Sequence, residues 1–350
     1  MTEVAIVVIG RDEGARLDRS LRSVLACGDH RIRERLYADC GSTDGSRETA
    51  RSHGFRVLTV DADRPNAGMA RQVGWKASRS PLIFFLDGDS VLDPDFLSTA
   101  IPRMDDPTVG LVFGWTRELR PQRNIFHHIF DLHWWRPPPG PAEASGGCSL
   151  TKREVLEASG GYDARLAAGE DVELCARIRA DGYQVLCLDA LMILHDIDIE
   201  NWNQYLLRMA RSGFADSRVA LLCGADLSKS RRRIWKTRIR LLALAASVVA
   251  MAADQWLLGV LVAVAPVWRE ALTAHHRGTR WYSGFLYAGH LYASAAAFIW
   301  GQILFRRLGP ASPAPSFDYK SLPRRPVQSQ RSLRLAPRGS QRAAQPKRAV

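Results

Sequence analysis

The chain has 350 residues, 46% of them apolar and 24% charged, which suits a globular protein of one large or two modest domains. Its formal net charge of +12 is concentrated at one end: from Arg306 onward eleven basic residues face Asp318 alone, so the body is nearly neutral and no nucleic-acid-binding core is expected. The six cysteines are scattered without a C-x-x-C pair, which speaks against a zinc site or a disulfide framework and fits a reducing compartment.

The opening stretch, MTEVAIVVIGRDEG, lacks the charged-then-apolar-then-small pattern of a signal peptide, and its apolar part is only strand length. VAIVVIG reads as a buried strand. RLDRSLRSVLACG reads as an amphipathic helix with Leu17, Leu21, Val24 and Leu25 on one face. RLYADCG is a second strand, SRETARSHG a polar helix closed by Gly54, FRVLTVD a third strand, AGMARQVGWKAS a helix and LIFFLD a continuous apolar strand. This alternation predicts an α/β sheet with helices on both faces, whose ligands bind beyond the carboxyl ends of the strands. Gly10, Asp39 and Asp87 all fall at such ends. A second half follows, with the strand VGLVFGW, the aromatic stretch FHHIFDLHWW, the loop RPPPGPA, the helix EDVELCARIRADGY and the strand QVLCLDALMIL.

The strand LIFFLD runs into Gly88 and Asp89. Side chains alternate along a strand, so Asp87 and Asp89 can aim their oxygens at one point while Gly88 lets the backbone approach closely. Two convergent carboxylates suit a hard divalent cation, Mg2+ or Mn2+, held partly through substrate phosphates. A solvated turn is the plain alternative. A calcium loop is excluded because Val91 and Leu92 stand where an EF-hand needs a ligand and a glycine. ADCGSTDGS, residues 38–46, leaves the second strand and enters a helix, so its backbone amides and Asp39 can face a ligand.

Four segments in order, VVIGRDEGARLDRSL, ADCGSTDGS, FLDGDS and GGYDARLAAGEDVELCARIRADGY, resemble the family-2 inverting glycosyltransferases of the GT-A fold, over about residues 4–200. The resemblance implies a Rossmann-type mixed sheet flanked by helices, with a nucleotide-sugar half over residues 1–115 and an acceptor half over 116–230. It implies a donor site of Gly10, Glu13, Asp39, Arg71, Asp87, Gly88 and Asp89, with Asp39 at the nucleobase, Arg71 near the phosphates and the D-x-D pair serving metal and diphosphate. His195, in MILHD, is a further metal ligand in some relatives; a structural histidine is the alternative. Cys40 stands where relatives often carry a second Asp, and Asp12 where they often carry an amide, so Asp12 is assigned no contact.

Transfer of a sugar from a nucleoside diphosphate needs a base for the acceptor hydroxyl. By the resemblance, Asp171 is that base and Glu170 positions the acceptor. At a helix start the amides should lower the pKa of such a carboxylate, and a neighbouring diphosphate should raise it. Trp134 and Trp135 could stack on an acceptor.

After Ser228 the sequence changes. Seven basic residues between Lys229 and Arg240 precede the apolar stretch Leu241 to Val267, and a second runs from Trp281 to Phe305. The expected arrangement is a transmembrane or membrane-associated helical hairpin over 231–310, a break at Asp254 and Gln255 being the alternative to a single span, then a basic disordered tail over 311–350. Positive-inside bias puts both ends, and the catalytic domain, on the cytoplasmic face of the inner membrane. Processive synthases of the family carry a Q-x-x-R-W segment; NQYLLRMAR offers Gln204 and Arg208 at another spacing, with Met209 for Trp. The leading reading is therefore transfer of one sugar to a lipid-linked or cell-envelope glycan acceptor. The alternatives are a non-catalytic sugar-nucleotide-binding membrane protein and a processive synthase. A nucleotidyltransferase is excluded for want of a glycine-rich basic loop after the first strand.

Overall fold

VAIVVIG forms β1 (Val4–Gly10), whose first five side chains are wholly buried, as a central parallel strand covered on both faces requires. This computed structural model describes residues 3–134, 137–222, 228–276 and 281–308. β2 (Ile32–Asp39) and β3 (Arg56–Thr59) add in parallel on one side of β1 and β4 (Leu82–Asp87) on the other. The crossovers contain α1 (Ala15–Ala26), α2 (Ser46–Ser52) and α3 (Ala67–Ala77).

Leu17, Leu21 and Val24 of α1 are buried, whereas Leu25 is 42% exposed. Eight residues on from Leu17, it lies about 80° round the helix and off the buried stripe. The Asn66 side chain caps α3 by accepting from the Met69 N–H at 2.9 Å. α3 lies so close to β1 that a Cβ on Gly74 would stand 2.2 Å from Val7 Cγ1.

The second half completes the same sheet. β5 (Ser90–Leu92) leads through α4 (Phe96–Ala100) and a 3-10 turn (Ile101–Asp105) into β6 (Val109–Glu118). Then come α5 (Ile125–His133), β7 (Gly140–Pro141), β8 (Ser149–Lys152), α6 (Arg153–Ser159), α7 (Glu170–Ala180) and β9 (Gln184–His195). The strand order is β3-β2-β1-β4-β8-β6-β9-β5, with β7 on β9. β8 runs antiparallel to both β4 and β6 and so joins a parallel half to a mixed one. The expected α/β sheet is present and is mixed.

The C-terminal helices take the broken alternative rather than a single span over 241–267. α8 (Trp202–Leu222), α9 (Ser228–Ala252), α10 (Trp256–His276) and α11 (Trp281–Leu308) follow one another. The stretch 241–267 is not one helix: it breaks after Ala252, where Asp254 takes φ 60°, in the left-handed region, and the chain restarts at Trp256. Among the described residues no helix is long and apolar enough to cross a membrane. α11 is instead packed on α8. A Cβ on Gly213 would stand 2.3 Å from the Ala297 carbonyl carbon, and the Ser217 hydroxyl donates to the Phe298 carbonyl at 2.7 Å. A satellite core of Phe126, Phe130, Ile197, Ile199, Tyr205 and Met209 joins α5, α8 and the segment after β9. Cys27, Cys40, Cys148, Cys175 and Cys187 are thiols, not disulfides; Cys223, Trp135 and the tail 311–350 lie outside the described residues.

Candidate active site

Strand register gathers the expected residues at one rim. Gly10 pairs with Asp39 across β1 and β2, and Ile9 pairs with Asp87 across β1 and β4, so both carboxylates leave the sheet at the same level. Bare α-carbons are needed there. A Cβ on Gly10 would lie 3.0 Å from Glu13 Cγ, and one on Gly88 would lie 3.1 Å from the Ile9 carbonyl oxygen and 3.2 Å from Glu13 Cγ. Glu13 is buried against this corner and pairs with Arg16 at 2.7 Å.

Asp39 is fully buried. The Tyr37 hydroxyl donates to its Oδ1 at 3.2 Å and the Ser42 N–H to its Oδ2 at 3.0 Å. In this structure it anchors the 40–46 turn. Asp12, left without a ligand contact on sequence grounds, braces the same turn by accepting from the Thr43 N–H at 2.7 Å.

Arg71 binds protein carboxylates. Its guanidinium donates to Asp87 Oδ1 at 2.6 Å, to Glu170 Oε1 and to the Gly147 carbonyl at 3.1 Å, and it lies over the Tyr162 ring at 5.7 Å. A Cβ on Gly147 would stand 2.1 Å from Arg71 Nη2, so the absence of a side chain there admits the guanidinium. One buried cation thus joins the first D-x-D aspartate to the start of α7. Their sequence separation, 16 residues on one side and 99 on the other, hides this link from sequence patterns.

Glu170 is buried, while Asp171 beside it is half-buried and accepts from the Val172 N–H at 2.8 Å. The Asp171 carboxyl is pushed up to about 7 by burial and by the Glu170 charge, against the opposing pull of Arg71 and the Val172 N–H. Sequence reasoning had the helix start lowering this pKa; desolvation and a like charge outweigh it. A carboxyl poised near neutrality can accept a proton from a hydroxyl.

Asp89 is buried, with Oδ1 3.5 Å from His195 Nε2. That spacing is long for a hydrogen bond but close to what two neighbouring ligands of one small cation adopt. His195 Nδ1 is buried and finds no hydrogen-bond partner among the described residues, and its ring packs on Trp134 at 4.6 Å between centroids. A carboxylate and an imidazole facing each other across this gap, with Asp87 two residues away, fit a Mg2+ or Mn2+ ion.

Sequence reasoning missed the layer beneath. Asp196 takes Arg19 at 2.5 Å and Arg120 at 2.6 Å, and Asp198 takes Arg123 at 3.0 Å. Glu118 accepts from His127 Nδ1 at 2.7 Å, and both side chains are fully buried. Glu118, His127 and Asp196 could themselves hold a metal ion, their ligand atoms lying within 4.8 Å of one another. Two arginines already bind Asp196, and Glu118 lies beside His195 as its partner across β6 and β9. The alternation of Asp196, Asp198 and Glu200 after the last strand was this layer's one visible sign.

Residues 5–160 match the family model for glycosyl transferase family 2. An O-antigen biosynthesis protein of Myxococcus xanthus is 30% identical over 165 residues, 40% of this chain, although the chain spans only 13% of that protein's length. A glycosyltransferase of Mycobacterium bovis is 27% identical over 186 residues, covering 49% of this chain and 78% of its own. Among solved structures, a mannosyltransferase from Pyrobaculum calidifontis, in complex with GDP-Man and Mn2+, superposes with a TM-score of 0.62 at 18% identity. That likeness extends over 85% of this chain and 87% of the other, and it shows a shared fold of GT-A type. Residues 5–160, somewhat under half of the chain, are thus similar to glycosyl transferase family 2, and the acidic rim is completed by side chains beyond the matched segment.

Proposed function

We propose that the protein is a divalent-cation-dependent, inverting glycosyltransferase. It moves one sugar from a nucleoside-diphosphate sugar to a hydroxyl of a lipid-linked or cell-envelope glycan, at the cytoplasmic face of the inner membrane. The observation that carries this reading is the single guanidinium of Arg71 bound to both Asp87 and Glu170, which ties a donor-side carboxylate to the helix bearing Asp171.

In the reaction the acceptor oxygen bonds to the anomeric carbon as the bond from that carbon to the β-phosphate oxygen breaks. The hydroxyl proton passes to Asp171, whose pKa near 7 suits the task. Glu170, held by Arg71, keeps a second carboxylate beside the base and so raises its proton affinity. A Mg2+ or Mn2+ ion held by Asp89 and His195, with Asp87 beside them, would supply Lewis-acid stabilisation to the diphosphate. The nucleobase is assigned to the 40–46 turn, which the buried Asp39 holds in place through the Ser42 N–H. Leu86 of β4 and Leu174 of α7 are buried in the apolar core that carries the rim.

Single addition is favoured over processive synthesis. Gln204 is buried and accepts from the Glu200 N–H at 2.7 Å, Met209 is buried, and Arg208 lies over the Phe130 ring at 5.1 Å, so these residues are engaged in the scaffold. Mn2+ and a panel of radiolabelled UDP- and GDP-sugars, supplied to membranes containing the chain, should place label in a lipid or envelope-glycan extract. Equal label in membranes lacking the chain, or turnover unchanged in Asp171→Asn, would reject the assignment.

A further inference from the structure

The α9–α10 pair turns its large apolar side chains outward. Leu242, Val248 and Val249 of α9 and Leu257, Leu261 and Trp268 of α10 are each 53–76% exposed. What the helices bury is small. The Ser247 hydroxyl donates to the Gly259 carbonyl at 2.7 Å, and Ala271 sits where a Cβ on Gly284 would come within 2.2 Å of its Cα. Apart from Trp268, whose ring also meets Phe285 of α11 at 5.9 Å, close contact is made through Ser, Gly and Ala, leaving exposed Leu and Val side chains on both helices in a density unusual for a water-facing surface.

Charge and length identify what covers this face. Between Lys229 and Arg240 the sequence has seven basic residues and no acidic one, which complements an anionic surface. The apolar portion of α9, from Leu241 to Ala252, rises about 18 Å and that of α10, from Trp256 to Trp268, about 20 Å, against a hydrocarbon core of about 30 Å. Standing upright, the hairpin would bury the Asp254–Gln255 tip in hydrocarbon. Lying flat, it keeps both the tip and the basic run at the headgroups.

We propose that α9 and α10 form an in-plane anchor that docks on the anionic surface of one bilayer leaflet without crossing it. The anchor reaches the catalytic helix through α11, which packs on α10 at Ala271 and Gly284 and on α8 at Gly213 and Ala297, and through α8, whose Val219 abuts Gly169, where a Cβ would lie 2.7 Å from Val219 Cγ2, and whose Arg211 donates to the Ala167 carbonyl at 3.4 Å. The inference rests on the preceding section only in taking the acceptor to be membrane-borne.

Its test is flotation of the full chain with sealed phosphatidylcholine vesicles, with and without phosphatidylglycerol. Binding to the mixed vesicles should exceed binding to the neutral ones at least about tenfold. Leu257→Glu with Leu261→Glu should lower it by a similar factor, and Lys236→Gln with Arg238→Gln and Arg240→Gln should remove most of the preference for phosphatidylglycerol. Mn2+-dependent binding of UDP or GDP should persist in both variants. A Gln255→Cys chain bound to the outside of sealed vesicles should label with a membrane-impermeant maleimide as fast as it does without lipid, scored against the unsubstituted chain. Protection of that cysteine would overturn the in-plane arrangement. Failure to float, including a self-associated chain that stays in solution, would overturn the anchor while intact nucleotide binding left the transferase reading standing. Flotation without nucleotide binding would do the reverse.

Discussion

Replacing Asp171 with asparagine should remove the base and stabilise the fold at once. Burial and the Glu170 charge raise this carboxyl from 3.8 to about 7, so the folded protein holds its proton more tightly than the unfolded chain does. Native stability is therefore eroded as pH rises from about 4 to about 7, and the deficit stays constant above that. Roughly three units at about 1.4 kcal/mol each set a ceiling of ~4 kcal/mol. Asparagine keeps an oxygen for the Val172 N–H but forfeits the attraction of Arg71, so about half the ceiling, ~2 kcal/mol, is the expected gain at pH 8. At about 2–4 °C per kcal/mol for a domain of this size, Tm should rise by roughly 4–8 °C at pH 8. The difference should shrink towards pH 4.5. Turnover should fall by about 10²–10⁴, and the wild-type rate should decline as pH drops through about 7, where Asp171 takes up its proton. Thermal melts of both proteins across this range, paired with initial rates, make the measurement. A variant that melts lower at pH 8, or a difference that does not change with pH, would refute the reasoning.

Arg71→Ala would leave Asp87 and Glu170 without their shared cation, and a loss of about 3–5 kcal/mol should show in denaturant melts, with Arg71→Lys recovering only part. Gly147→Ala puts a methyl 2.1 Å from Arg71 Nη2, so turnover should drop at least about tenfold while stability suffers less than in Arg71→Ala, because a displaced guanidinium can find other partners. Gly74→Ala drives a methyl to 2.2 Å from Val7 Cγ1 behind the site, and about 1–3 kcal/mol of overpacking should lower Tm without altering the donor KM.

The parallel half of the fold was readable because each strand there is a continuous apolar run closed by turn residues, and the D-x-D pair was readable because LIFFLD points it at a strand end. β5 and β8 were not, since three or four residues carry no usable period and their places depend on pairing with β9, β4 and β6 far along the chain. Site residues followed the same divide. Asp87, Asp89, Glu170 and Asp171 announce themselves by local motif, but the clamp of Arg71 on two carboxylates and the arginines beneath Asp196 exist only through tertiary contact. The single apolar span failed at Asp254, where one polar pair outweighed the average hydropathy of its neighbours.

The central claim is that Asp87, Asp89 and His195 hold a cation which in turn holds a diphosphate. Calorimetric titration of UDP and GDP into the wild type, Asp89→Asn and His195→Ala, each with Mn2+ and then with EDTA, tests it most directly. Binding of at least one nucleotide should require Mn2+ and weaken about tenfold or more in both variants. An affinity unchanged by EDTA and by Asp89→Asn would contradict the assignment of the rim.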